Sequence, residues 1–325
     1  MTTVDTKAEV VNETLRAATT RFSAISVRNV LFATDFSATS DAALPYAAAI
    51  CRRFGSTLHT AHVLSDVGIL MMAGGSDYVD LGAIYDDTQN EARERLARIS
   101  GRVEGTACRN YVGHGRVWNN LASIIEENDI NLIVVGTHGR TGLSKLLLGS
   151  VAEDILRHAP CPVLTVGPKV SGRAKLPMLQ SHGRDLAPPE LELRQILFAT
   201  NFGNNTERLA HEAMLLADEF HARLILMHVI EDYTRLGSDL GTIEEVTRKL
   251  KELISVNADL QHTPETVIEF GNAPERILRI SADREADMII LGARSFAAVG
   301  TTHLPWASTH YVIAEANCPV LTIHE

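Results

Sequence analysis

The chain is predicted to be an α/β protein of two tandem, doubly wound, parallel five-stranded sheets. Three observations predict it. Short apolar, β-branched runs recur along the 325 residues, amphipathic stretches separate them, and the whole order of segments occurs twice. Runs that lack polar alternation read as strands buried on both faces, which implies parallel pairing with helical crossovers. Strand and helix alternate five times per unit, as in an open sheet wound in both directions.

The repeat is read element by element. Val30-Leu31-Phe32-Ala33-Thr34-Asp35-Phe36 is matched downstream by Ile196-Leu197-Phe198-Ala199-Thr200-Asn201-Phe202, giving the first strand of each unit. Ala61-His62-Val63-Leu64 recurs as Met227-His228-Val229-Ile230, and Leu132-Ile133-Val134-Val135-Gly136 as Met288-Ile289-Ile290-Leu291-Gly292. Cys161-Pro162-Val163-Leu164-Thr165-Val166 returns as Cys318-Pro319-Val320-Leu321-Thr322-Ile323. Helical periodicity runs through 42–54, 91–99, 117–127 and 151–158, and through Ile243, Val246, Leu250, Leu253 and Ile254. The stretch 66–87 reads as a loop, and whether Asp77, Asp80, Asp86 or Asp87 help hold a metal is left open.

These boundaries divide the chain into an arm at 1–25, a first unit at 26–168, a linker at 169–192 and a second unit at 193–325. The linker is rich in proline and glycine and has no apolar period. The arm is read as a short amphipathic helix through Val10, Val11, Thr14 and Leu15.

Composition narrows the partners. Apolar residues make up 45% and charged residues 22%, and no apolar run approaches the roughly 20 residues of a membrane span. The first residues mix acids and bases around no apolar segment, so no secretory signal, no membrane and a cytoplasmic location are expected. A formal net charge of −10 opposes nucleic acid as a partner. Cys51, Cys108, Cys161 and Cys318 are too scattered for a zinc site or a redox pair.

Chemistry concentrates after the fourth strand, where Gly136, Gly139, Gly149 and Ser150 frame a loop leading into a helix. Backbone amides cradle a phosphate best where no Cβ blocks the approach, and a helix start adds unpaired N–H groups and a positive dipole end. Glycines after strands also serve turns, and Ser150 is equally readable as a helix cap. His138 and Arg140 lie in the same loop, positioned either to meet phosphates or to face solvent.

The spacing Gly136-x2-Gly139-x9-Gly149-Ser150 resembles the ATP-binding signature of the universal stress protein family. The segments Ala33-Thr34-Asp35-Phe36-Ser37, His62-Val63 and Cys161-Pro162-Val163-Leu164 resemble the same family, so the likeness covers most of the first unit. It implies the Rossmann-like fold of that family and one ATP in the first unit, with or without Mg2+. In that resemblance Asp35, beside Ala33 and Thr34, contacts the ribose, and Val63 contacts the adenine. Gly136, His138, Gly139, Arg140, Gly149, Ser150 and Val151 complete the set. The residues alone leave Asp35 as a turn cap and Val63 as core. His62 and His228 suggest a hydrogen-bonding role common to both units rather than a metal site.

The second unit departs from the signature. Asn201 stands where the first unit has Asp35, and Leu304-Pro305-Trp306-Ala307 stands where it has Leu148-Gly149-Ser150-Val151. It is read as a degenerate copy, the alternative being a different pocket built on Trp306 and Arg294. The expected function is nucleotide-dependent stress regulation through a protein partner. Slow ATP hydrolysis or autophosphorylation, and a scaffold without nucleotide, are the alternatives. No residue is assigned a catalytic role. The resemblance also implies pairing of last strands, either in a homodimer or within the chain as a pseudo-dimer.

Overall fold

The computed structural model describes residues 26–64, 81–103, 105–137, 148–170, 191–231, 240–255, 260–293 and 304–324. The arm at 1–25 and most of the linker lie outside them. In the first unit the elements run β1 (Asn29–Ala33), α1 (Ala38–Phe54), β2 (Thr57–Leu64), α2 (Leu81–Gly101), β3 (Cys108–His114), α3 (Val117–Glu127), β4 (Leu132–Gly136), α4 (Ser150–His158) and β5 (Val163–Val166). The second repeats this order as β6 (Gln195–Ala199), α5 (Thr206–Glu219), β7 (Arg223–Ile230), α6 (Leu240–Ser255), β8 (Glu265–Phe270), α7 (Ala273–Asp283), β9 (Met288–Ala293), α8 (Leu304–Glu315) and β10 (Val320–His324).

The ten strands among the described residues share one sheet, in the order β3-β2-β1-β4-β5-β10-β9-β6-β7-β8. Among the described residues each unit is parallel throughout, and the single antiparallel pair is β5 with β10, which joins them. Its register sets Val320 opposite Thr165, Leu321 opposite Leu164 and Thr322 opposite Val163. Val163 meets Thr322 while its counterpart Val320 meets Thr165, and Leu164 meets its own counterpart Leu321, as an isologous twofold contact requires. The two last strands thus pair within one polypeptide.

The strands alternate between two apolar layers because successive side chains point to opposite faces. Val30, Phe32, Leu132, Val134 and Leu164 pack with α1, α2, α5 and α6, whereas Leu31, Ile133, Val135 and Val163 pack with α3, α4, α7 and α8. Burial on both sides explains why the strands carry no polar alternation. Across the junction, Phe54 and Phe220, counterparts in the repeat, meet edge to face with ring centroids 6.2 Å apart. Arg53 also reaches Glu219 at 3.0 Å.

Two helices begin earlier than their periodicity predicts. The Ser37 hydroxyl accepts the Ser40 amide, so α1 starts at Ala38 rather than at residue 42. The second difference corrects the loop expected over 66–87: residues 81–87 are the first turns of α2. Leu81, Ile84 and Tyr85 continue the spacing of Ala92, Leu96 and Ile99, and the exposed pair Asp86 and Asp87 had hidden it. Asp77 and Asp80 lie outside the described residues. Among the described residues no three His, Cys, Asp or Glu side chains gather as metal ligands. All four cysteines are free thiols, and burial pushes Cys161 up to about 12.

Candidate functional site

Winding reverses between β1 and β4, which are neighbours in the sheet although their crossovers leave in opposite directions. In such sheets the crevice beyond the carboxyl ends of those strands takes the ligand. Here the crevice is bounded by Thr34 and Asp35 after β1, by Val63 near the end of β2, and by Gly136 at the end of β4.

The turn after β1 is a tight polar knot. Thr34 is buried, and its Oγ1 accepts both the Phe36 amide at 2.9 Å and the Ser40 hydroxyl at 2.7 Å. Asp35 Oδ1 accepts the Ser37 amide at 3.0 Å. That bond turns the chain so that Phe36 adopts a left-handed φ of 62° and its ring meets His62 at a tilt of 36°, with centroids 4.3 Å apart. The His62 ring contacts the Thr34 carbonyl through Nδ1 at 2.7 Å. Since a carbonyl only accepts, Nδ1 carries the proton.

The second unit builds the same knot from its counterparts. Thr200 Oγ1 lies 3.1 Å from the Thr206 hydroxyl and accepts the Phe202 amide, and Asn201 Oδ1 accepts the Gly203 amide. Phe202 has a φ of 56°, and His228 Nδ1 donates to the Thr200 carbonyl at 2.8 Å. A cation covers each ring, Arg95 over Phe36 and Lys249 over Phe202. Burial holds the His228 pKa below its ordinary value, against the opposing pull of that carbonyl. The knot was not legible as a unit in the sequence, although its signal was there: threonine, phenylalanine and histidine recur in register in both halves.

Gly136 has a structural reason to be glycine. A Cβ there would stand 2.7 Å from the Thr39 carbonyl oxygen and 2.9 Å from Ser40 Cα. The first turn of α1 therefore rests directly on the end of β4, which sets the floor of the crevice.

Thr137, the next residue, is fully buried. Its carbonyl accepts the Gly149 amide at 2.8 Å, which closes the base of the loop and draws the start of α4 beside β4. Gly149 thus spends its own N–H on the scaffold. It precedes α4 as the cap residue without any side-chain cap bond, while Ser150 is exposed and Val151 half-buried. The first-turn amides of α4 therefore meet no side chain from the cap residue. His138, Gly139 and Arg140 lie outside the described residues.

The corresponding helix of the second unit begins elsewhere. Aligning the two Cys-Pro-Val-Leu-Thr segments puts Trp306 at the place of Gly149 and Ala307 at that of Ser150, yet α8 already starts at Leu304. Amides that end a helix in the first unit lie within one in the second. The carboxylate of Glu231, beyond β7, also accepts the Ala273 amide at the start of α7. The first unit has no side-chain cap at the start of α3. Arg294 and the side chain of Trp306 lie outside the described residues.

A profile of the Universal stress protein family matches this chain twice, over residues 26–167 and 192–324. Universal stress protein A homolog 1 of Coxiella burnetii is 34% identical over 140 residues, which is 43% of this chain and 95% of that protein. A universal stress protein of Methanocaldococcus jannaschii is 30% identical over 141 residues, 43% of this chain and 81% of the relative. The crystal structure of a universal stress protein from Archaeoglobus fulgidus superposes with a TM-score of 0.63 at 22% identity, covering 92% of this chain and 99% of that one. Its likeness extends the shared fold across both units. With two profile matches spanning most of its length, the chain belongs to the universal stress protein family, as a tandem of two family units.

Proposed function

We propose that the first unit binds one ATP per chain in the crevice between β1 and β4, and that the protein acts in the cytoplasm as a nucleotide-dependent regulator. The observation that carries the reading is the contrast between the two helix starts. α4 opens at Gly149-Ser150 after β4, whereas α8 already starts at Leu304, before the equivalent position, and in the second unit Glu231 places a carboxylate at the start of α7. A triphosphate is favoured by exposed first-turn amides and a positive dipole end, and disfavoured by a carboxylate.

In this reading Ser150 and the amides of the first turn of α4 hold phosphate, with His138, Gly139 and Arg140 over it. Ala33, Thr34 and Asp35 face the ribose, and Val63 lines the base. Gly136 and Gly149 shape the walls rather than supply amides. Mg2+ would arrive with the phosphates, a mode that needs few protein carboxylates. Bound ATP changes the surface at the mouth of the crevice, and a protein partner reads that change.

The test is calorimetric titration of ATP into the full chain, with and without Mg2+. Saturation near one ATP per chain is expected, abolished in Gly149→Trp, which copies the second unit, and weakened in Ser150→Ala. No heat and no nucleotide retained through purification would sink the reading.

A further inference from the structure

Among the described residues the sheet ends on β3 at one side and on β8 at the other. The last strands of both units are occupied by their own junction, so β3 and β8 are the edges left to other molecules. On β3 the Gly115 amide donates to the Leu64 carbonyl, and the Ala107 carbonyl accepts the Leu58 amide. Residues of a parallel strand bond to its two sides in turn, so the odd positions between them face β2. Cys108, Asn110 and Val112 therefore turn their amides and carbonyls outward. The next outward carbonyl, on His114, is closed by the Asn120 side-chain amide at 2.8 Å. The open ladder thus runs from Cys108 to Val112.

A groove of about 360 Å³ lies along this edge, between β3 and α3. Tyr111, Val112 and Gly113 line it from the strand, and Asn119, Asn120 and Ser123 from the helix. Gly113 lets the Asn120 amide settle against the strand, since a Cβ there would stand 2.3 Å from Asn120 Oδ1. Asn120 also donates to the Arg116 carbonyl at 2.9 Å, so both amide hydrogens are committed and Oδ1 is held as an acceptor. None of the lining residues is acidic, while Arg109 on the strand and Arg116 before the helix are exposed.

The opposite edge differs. Counting back from Gly115 and Gly271, which follow the two strands, Glu269 stands for Gly113; counting forward, Arg276 stands for Asn120. A side chain there replaces the bare backbone, and Glu265 with Glu269 makes that strand acidic.

We propose that the β3 edge is a docking site for an extended acidic segment of another protein, which adds to the sheet as a further strand. Only an extended chain repeats N–H and C=O at the pitch of an open ladder. Main-chain bonds to Asn110 and Val112 supply affinity, the groove beside Gly113 takes a side chain, and Arg109 and Arg116 select acids. The edge lies apart from the crevice between β1 and β4, so the inference stands whether or not ATP binds.

The test uses the full chain without nucleotide and a fluorescent, amidated peptide Glu-Val-Thr-Val-Thr-Val-Glu, followed by anisotropy. Saturable binding is expected, with amide exchange slowed over residues 108–114 and unchanged over 265–270. Val112→Pro removes one outward amide and no bond to β2, so the fold is kept and binding falls at least about tenfold. The same loss is expected for a peptide N-methylated at its valines and threonines, which leaves the protein intact, and for one with lysine in place of each glutamate. No binding, undiminished binding in any of these three arms, or slowed exchange over 265–270 instead would overturn the proposal. So would a concentration-dependent dimer that Val112→Pro dissolves, which would make a second copy the occupant.

Discussion

Leu164 and Leu321 lie directly opposite one another across the antiparallel junction, each the counterpart of the other in the repeat. The axis relating the two units passes between them. Leu164 is fully buried, while Leu321 is half-buried at the edge of the same apolar layer. Truncating a buried leucine costs its transfer energy plus a cavity, about 2–5 kcal/mol. Leu164→Ala should lose that much in urea unfolding, and Leu321→Ala less. Equal losses would mean that the junction is more evenly covered than these burials indicate.

Gly136→Ala should destabilise the first unit by about 1–3 kcal/mol, because the new methyl would press on the backbone of Thr39 and Ser40. Gly101→Ala is the control, since nothing lies within 4 Å of its Cβ position. The two midpoints, measured side by side, separate a close backbone approach from a general intolerance of substitution.

Thr34→Val leaves the Phe36 amide and the Ser40 hydroxyl without their acceptor in a buried turn. A loss of about 1–3 kcal/mol is expected. Thr200→Val should behave alike in the second unit, where the same atoms meet. Thermal unfolding of the two variants would show it, and a silent Thr34→Val would remove the knot as a structural element.

Stability should fall on mild acidification. His59, His228, His310 and His324 all titrate below the ordinary 6.5, in each case chiefly because burial penalises the charged ring. For His59 the neighbouring Arg109 adds to this. In the window just below 6.5 the unfolded chain binds more protons than the folded one, so stability is full above it and lost as pH drops through it. Glu212 acts oppositely, since burial raises its carboxyl above 4.5 against the pull of Arg208, and its window opens upward from there. Urea midpoints at about pH 7.5 and about pH 5.5 check the sign. His59→Gln should narrow the difference between them.

Much of this was legible in the linear chain because it depends on near neighbours. A strand buried on both faces must be apolar throughout, so Val30–Ala33 and Ile196–Ala199 announced themselves and their repetition. The candidate site was partly legible for the same reason, since Gly136, Gly149 and Ser150 lie on one short segment. What each glycine does was not. Gly136 answers to Thr39, almost a hundred residues earlier in the chain, and Gly149 donates its amide to Thr137.

By itself the sequence determined the α/β class, the duplication, the place of the glycine loop and the departure of the second unit, all set by local period and identity. Only the tertiary structure decided that both units share one sheet through Leu164 and Leu321, that α2 reaches back to Leu81, and that α8 begins before the place where α4 does. Strand neighbours and helix starts are settled by which surfaces must be buried and which amides already have partners. Those are properties of the packed chain, to which residues far apart in sequence contribute equally.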